Sequence, residues 1–313
     1  MIIITGGNGY VASHTIRQFK QSNQPVVALV RSEEHFSKVR ALGATPVKGD
    51  VTDAASLQAA FQGLNVDKVI HLAAVNRDRG HSTMQAVNAQ GTKNLVDAAK
   101  RASVQHIVTV VGLGADSRKP YPLAQTQGVG VDTLMQSGVP YTVLEASVIF
   151  GPGDEFINTL AGLARIPPLM VVPGDGKSKF QPIAVQDVAA CAVRALTNPA
   201  ALNQRLQICG SQVLTLEAII DAILSELKLR RIKVHMPVGL LKIAVGVMDK
   251  TLPKAPITPS LLAQLGVDNV ATHNATETVF GVKPIKLAEG IGYVHEMTLG
   301  TLIKRSLGQA QYR

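Results

Sequence analysis

Tryptophan is absent, and aromatic residues make up only 4% of the 313 residues. Stacking platforms for bases are scarce, which argues against a protein built to hold single-stranded nucleic acid. Cysteine occurs only at Cys191 and Cys209, too few for a disulfide framework or a cysteine-rich zinc site. Both stand in apolar surroundings and read as reduced core residues. The eight histidines are scattered and show no metal-ligand spacing. Long apolar runs are missing too: the longest, Pro237 to Met248, is interrupted by Lys242 and is too short to span a bilayer. The opening Met-Ile-Ile-Ile-Thr-Gly reads as a buried strand entering a turn, not as a secretory leader. Together these absences predict a cytoplasmic protein with no transmembrane segment and no metal.

What is present is apolar mass. Hydrophobic residues make up 46% and charged residues 17%, so a large core can be buried and global disorder is excluded. The length suits one large α/β domain with a smaller appended piece. The net charge of +9, from 31 basic and 22 acidic residues, is spread along the chain. It fits a basic surface or an affinity for anionic ligands or anionic surfaces. The densest cluster, Lys228, Arg230, Arg231 and Lys233, reads as a solvated helix end. Charge alone does not make a nucleic-acid partner, and none is expected.

The first half alternates short β-branched runs with amphipathic stretches. Strands are expected at Ile2–Ile4, Val26–Val30, Thr45–Lys48, Lys68–Leu72, His106–Val111 and Tyr141–Leu144. Helices are expected at Val11–Lys20, Ala54–Phe61, Met84–Arg101 and Gly128–Gln136. Near-continuous apolar strands suit a sheet covered on both faces, which predicts an α/β fold with a doubly wound parallel sheet of the Rossmann type. After Gly151 prolines become frequent, and helical patterns at Ala184–Leu196, Leu216–Leu227 and Leu240–Met248 alternate with short extended pieces. The expected organisation is a dinucleotide-binding domain over 1–150 and a smaller, mostly helical C-terminal lobe over 151–313, interleaved with the main sheet. Asp187 and Thr215 are candidate helix caps.

The sharpest motif is Thr5-Gly6-Gly7-Asn8-Gly9-Tyr10-Val11-Ala12, between a predicted strand and a predicted helix. Gly6 or Gly7 permits the tight turn, Gly9 lets a pyrophosphate approach the backbone, and Ala12 lets the helix pack close to the strand. Phosphate oxygens would then meet the free N–H groups and the positive end of the helix. At the tip of the second strand, Val30-Arg31-Ser32 carries a guanidinium where a carboxylate would mark NAD. Arg31 matches a 2′-phosphate, so NADP(H) is favoured over NAD(H). The alternative leaves Arg31 in solvent and gives the ribose to Glu33 or Glu34. Asp50 and Val51 can flank an adenine ring, unless Asp50 is only a turn or cap residue. His71-Leu72-Ala73-Ala74 ends the fourth strand in small residues, leaving room for a cofactor to cross the sheet edge beside Leu72, Ala73 and Ala74, unless the alanines serve only packing.

These pieces, with Asn88-Ala89-Gln90-Gly91-Thr92-Lys93-Asn94-Leu95, Tyr141-Thr142-Val143-Leu144 and Phe150-Gly151-Pro152-Gly153-Asp154, resemble the short-chain dehydrogenase/reductase superfamily in its extended and atypical branches. Gln181-Pro182-Ile183-Ala184-Val185-Gln186-Asp187-Val188-Ala189, Leu214-Thr215-Leu216-Glu217 and Asp268-Asn269-Val270 look like the subgroup around the accessory Rossmann subunit of respiratory complex I. The resemblance runs to about Tyr293. It implies dinucleotide contacts at Gly6, Gly7, Asn8, Gly9, Tyr10, Val11, Arg31, Ser32, Asp50, Val51, Leu72, Ala73, Ala74, Val111, Gln127, Ala146 and Val148.

Active relatives place Ser or Thr at the end of the fifth strand and Tyr-x-x-x-Lys on the next helix; the tyrosine moves the proton while nicotinamide moves the hydride. Here the three positions fall on Val111, Leu123 and Gln127, and Glu145 stands where an arginine is usual. Tyr121 is the one weak catalytic candidate, bracketed by Pro120 and Pro122 with no lysine one turn on. Two functions follow. One is a cofactor-binding protein in a structural or redox-sensing role, with a protein assembly as its partner. The other is an NADPH-dependent oxidoreductase acting on a quinone, ketone or similar small molecule in the inter-lobe cleft, with a non-standard proton donor. Asp154-Glu155 reads as a turn, not as an acid–base pair.

Overall fold

The computed structural model describes residues 1–252, 255, 257, 262 and 264–308. The first strands form where β-branched runs lie between turn signals: β1 (Ile2–Thr5), β2 (Val27–Val30), β3 (Thr45–Lys48), β4 (Lys68–His71), β5 (His106–Gly112) and β6 (Tyr141–Ala146). Between them run α1 (Tyr10–Gln21), α2 (Phe36–Leu42), α3 (Ala54–Gln62), α4 (Gly91–Arg101) and α5 (Pro122–Met135). A π-helical turn at Gln85–Gln90 leads into α4.

Six strands and a returning strand, Gln204–Ile208, build one seven-stranded sheet. Its order is Gln204–Ile208, β6, β5, β4, β1, β2, β3, and every pair in it is parallel. All strand tips therefore point the same way, and the order reverses between β1 and β4. In doubly wound sheets ligands bind at that reversal, outside the carboxyl ends of the strands. The cluster of Ile3, Leu29, Leu57, Val69, Leu95, Ile107 and Leu134 is buried around the sheet. At about 25 cal/mol per Å2 of apolar surface, such burial is the main term holding the unit together.

The chain forms two compact units. The first is 1–146 with 185–208 and 273–282; the second is 147–184 with 209–272 and 283–313. The chain returns to the first unit because Gln204–Ile208 pairs with β6, from Gln204↔Thr142 to Ile208↔Ala146. The second unit has its own core, with Phe150, Ile157, Leu160, Val172, Ile220 and Val294 buried. It contains a short parallel pair, Leu169–Pro173 with Ile232–Met236, and the helices Phe156–Ala164, Leu216–Glu226 and Val238–Thr251. Thr215 caps its helix by accepting from the Ala218 N–H at 3.1 Å. Asp187 does not cap: its helix, Val185–Ala195, begins two residues earlier, and Asp187 lies buried in the first turn. Both cysteines are buried and neither is in a disulfide, and burial pushes the Cys191 thiol up to about 12. Among the described residues no helix is long and apolar enough to cross a membrane, and no cluster of three or more His, Cys, Asp or Glu could hold a metal.

Candidate functional site

The turn after β1 is shaped by contacts that only glycine allows. Gly6 sits at φ +66°, and a Cβ there would lie 2.8 Å from the Ala73 Cα. The loops after β1 and β4 thus touch at the point where the strand order reverses. A Cβ on Gly7 would lie 2.6 Å from the Ala28 Cβ, and the Gly7 N–H donates to the Leu29 carbonyl at 2.9 Å. Gly9 precedes the first residue of α1; its N–H donates to the Gly6 carbonyl at 2.8 Å, and a Cβ would sit 2.9 Å from that same oxygen. With no side chain at Gly9 to cap α1 and no acid in its first turn, the positive end of the helix is left for an anion. Asn8, Tyr10 and Val11 complete this turn, and Ala12 is fully buried. The cradle suits a pyrophosphate: Gly6, Gly7 and Gly9 have no side chain to obstruct it, and no carboxylate stands in the first turn of α1 to repel it.

A buried hydrogen-bond chain fixes the floor. Thr5 Oγ1 lies 2.8 Å from His71 Nδ1 and accepts from the Leu72 and Ala73 N–H groups, each at 3.2 Å. His71 Nε2 lies 3.0 Å from Thr92 Oγ1, which itself donates to the Asn88 carbonyl at 2.7 Å. Thr92 can only accept from His71, so Nε2 carries the proton, and Nδ1 accepts from Thr5. Burial lowers the His71 pKa to about 4, so the ring is neutral at pH 7. Asn88 then holds the next loop by accepting from the Val75 N–H and donating to the Val75 carbonyl, both at 2.9 Å.

Beside this chain, at the tips of β4 and β5, lies a small depression. Ala73, Ala74, Val110, Val111 and Val131 form its apolar wall; Asn88, Thr92, Thr109 and Gln127 give it polar atoms. Val111 and Gln127, where the resemblance expects the serine and lysine, are thus brought together. Gln127 Oε1 accepts from the Gly112 N–H at 3.0 Å, tying α5 to the tip of β5. Leu123 and Tyr121 are not among the described residues of its wall. Helix α5 starts earlier than the expected Gly128: Pro122 occupies its first position and Tyr121 the residue before, whose carbonyl accepts from the Gln125 N–H at 2.9 Å. Gly130 is required inside this helix because a Cβ would lie 2.5 Å from the Asn88 carbonyl oxygen. Thr92, Thr109, Asn88 and His71 are site residues that the sequence motifs did not single out. Their role depends on strand register, and only the place of His71 in His71-Leu72-Ala73-Ala74 and of Asn88 and Thr92 in Asn88–Leu95 hinted at it.

Arg31 follows β2 directly, is exposed, and donates from Nη1 to Ser82 Oγ at 2.6 Å. Ser82 belongs to a tight turn closed by paired backbone bonds with Arg79. Ser32 precedes a 3-10 turn that carries the exposed Glu33 and Glu34, with Glu34 3.4 Å from His35. Asp50 Oδ1 accepts from the Thr52 N–H at 2.9 Å and from its hydroxyl at 2.8 Å, a turn-forming role. Val51 is buried, and its carbonyl accepts from Asn94 Nδ2 at 2.9 Å. Ala146 ends β6, and its carbonyl accepts from the Leu113 N–H at 2.7 Å; Val148 belongs to the second unit. Glu145, buried in β6, is paired at 2.7 Å with Arg205, whose guanidinium also donates to the Ala115 carbonyl. In the second unit, Asp154 caps Phe156–Ala164 by accepting from the Ile157 and Asn158 N–H groups.

A sequence model of the NAD(P)H-binding family matches residues 6–199. The chain is 31% identical over 218 residues to an NAD(P)H azoreductase of Xenophilus azovorans, covering 69% of this chain and 70% of that protein. It is 24% identical over 227 residues to the mitochondrial NADH dehydrogenase (ubiquinone) 1 alpha subcomplex subunit 9 of Dictyostelium discoideum, covering 71% of this chain and 62% of the other. A nucleoside-diphosphate-sugar epimerase of Staphylococcus aureus has the same fold, with a TM-score of 0.74 at 18% identity over 93% of this chain and 99% of that one. With the glycine cradle at the sheet reversal and the parallel order of its seven strands, the chain belongs to the NAD(P)H-binding family, within the atypical and extended branches of the short-chain dehydrogenase/reductase superfamily.

Proposed function

We propose that this protein binds NADPH in preference to NADH and uses it to reduce a conjugated acceptor, a quinone or an azo compound, that takes its proton from water. The observation that carries the reading is the wall at the tips of β4 and β5. Val111 and Gln127 stand there without a titratable group, and His71, the one described wall residue with an ionisable side chain, is buried with its pKa lowered to about 4 and its only N–H given to Thr92. NADPH, when bound, supplies the hydride. The chain's residues do the rest: Gly6, Gly7 and Gly9 admit the pyrophosphate, Arg31 meets the 2′-phosphate, Thr5 and His71 hold the Leu72-Ala73 backbone, and Gln127 anchors the tip of β5. Reduction of a quinone consumes one hydride and one proton per hydroquinone formed, and the acceptor's oxygens hold developing charge well enough for solvent to protonate them. A ketone does not, and in relatives it relies on a positioned acid that contributes about 10²–10⁴-fold. The identity with an azoreductase supports the same acceptor class.

A panel of azo dyes, naphthoquinones, ketones and aldehydes, followed by NADPH absorbance, tests the reading. Saturable oxidation against the first two and none against the others is expected. Turnover of ketones alone overturns it. Tight NADPH binding with no turnover against any acceptor would give the site to the cofactor-holding role instead. That second reading draws support from the likeness to a subunit of NADH dehydrogenase.

A further inference from the structure

The second unit carries an apolar surface that its own core does not use. Among the described residues, large hydrophobic side chains left exposed lie in this unit, apart from Met1, Met135 and Leu202. Three of them, Leu240, Ile243 and Val247, stand on the helix Val238–Thr251, and three more, Leu299, Ile303 and Leu307, on or just after the helix Leu299–Ser306. Val238, Leu241, Val245 and Met248, spaced as one helical stripe, pack on the core. The opposite stripe is equally apolar and faces outward: Leu240 is 60% exposed, Ile243 68% and Val247 60%. The strand leading into the helix begins with Ile232, 64% exposed, which pairs with the exposed Leu169.

Charge decides what covers this face. Residues 228–252 hold six of the chain's basic side chains and a single acid, Asp249. Lys233 is held by Glu217 at 2.6 Å and by Asp221 at 2.9 Å, and Arg231 donates to the Ala164 carbonyl. Lys228, Arg230, Lys242 and Lys250 remain exposed, the last two on the helix itself. A second copy docking face to face would set these cations against their own duplicates, which costs affinity. The geometry points to an anionic lipid surface: we propose that Val238–Thr251 lies in the headgroup layer of a bilayer, Leu240, Ile243 and Val247 inserted among the acyl chains and Lys242, Lys250 and Arg230 on the lipid phosphates. Fourteen residues are too few to span the membrane but enough to lie in its interface. Each lysine near an anionic surface adds to the attraction, which salt weakens.

Co-sedimentation of the full chain with vesicles tests this. The protein is expected to pellet with phosphatidylcholine–phosphatidylglycerol vesicles and about tenfold less with phosphatidylcholine alone or in high salt. Ile243→Glu with Val247→Glu, and separately Lys242→Glu with Lys250→Glu, should each weaken vesicle binding by about tenfold or more. NADPH affinity, which belongs to the other unit, serves as the folding control and should stay at the parent value. Equal binding to both vesicle types, or none to either, overturns the proposal. So does a dimer in sedimentation analysis that Ile243→Glu with Val247→Glu dissolves, which would assign the face to a second copy.

Discussion

Thr5 and His71 are register partners on β1 and β4, and the Thr5 hydroxyl gives its proton to His71 Nδ1 at 2.8 Å while accepting the Leu72 and Ala73 N–H groups. One oxygen thus sets both the tautomer of a buried imidazole and the path of the loop against which Gly6 is packed. Thr5→Val keeps the shape and removes that oxygen. Two backbone donors and one ring acceptor lose their partner. A loss of about 1–3 kcal/mol in urea denaturation is expected, with weaker NADPH binding in fluorescence titration. Parent stability in this variant would show that the network carries nothing.

Stability should fall with acidity through His71. The folded ring titrates at about 4 and the unfolded one near 6.5, so the unfolded state binds more protons in that window. The contribution is complete above pH 6.5 and is lost as pH falls toward 4, about 3 kcal/mol in all. Asp154 has the opposite sign: burial raises it to about 6, so its contribution is present in acid and is lost as pH rises from about 4 to 6. The two contributions nearly offset in the parent, so urea midpoints from pH 4 to 7 should rise steeply in Asp154→Asn and should fall over the same range in His71→Gln. The same pH dependence in His71→Gln as in the parent would contradict the assignment.

Gly9→Val should abolish dinucleotide binding. The added carbons would enter the space kept for the pyrophosphate and press on the Gly6 carbonyl, 2.9 Å from the new Cβ. Far-UV circular dichroism should change little. A variant that binds NADPH as the parent does would remove the phosphate cradle from the account.

Arg31→Ala should weaken NADPH more than NADH, by about 1.5–3 kcal/mol for a lost charge-assisted contact. Ser82→Ala removes the hydroxyl that the guanidinium meets at 2.6 Å and should narrow the same preference by a smaller amount. Equal weakening of both dinucleotides on Arg31→Ala would direct this side chain elsewhere.

Much of the sheet was readable in the chain because buried parallel strands are nearly pure β-branched runs. Thr45–Lys48 matches its expected range, and the other five predicted strands end within two residues of it. Helix α5 was read short. Pro120-Tyr121-Pro122 looks like a loop, so the helix was expected only from Gly128. Pro122 instead starts the helix, and Gly128 and Gly130 are there for contacts with residues 116–117 and Asn88. Helix α2 was missed because seven residues hold too few periods to register. The glycine cradle was legible from local order alone. The chain Thr5–His71–Thr92–Asn88 was not, since it joins residues 66 and 21 positions apart through register and burial.

On the proposed reading, no side chain among the described residues delivers a proton at the tips of β4 and β5. Single-turnover oxidation of bound NADPH by a naphthoquinone, followed from pH 5.5 to 9 in the parent and in Tyr121→Phe, tests it most directly. The account predicts a rate without an ionisation step across that range and the same rate in both proteins. A rate that rises and falls with a titrating group, and collapses in Tyr121→Phe, would put the phenol on the acceptor and contradict the claim.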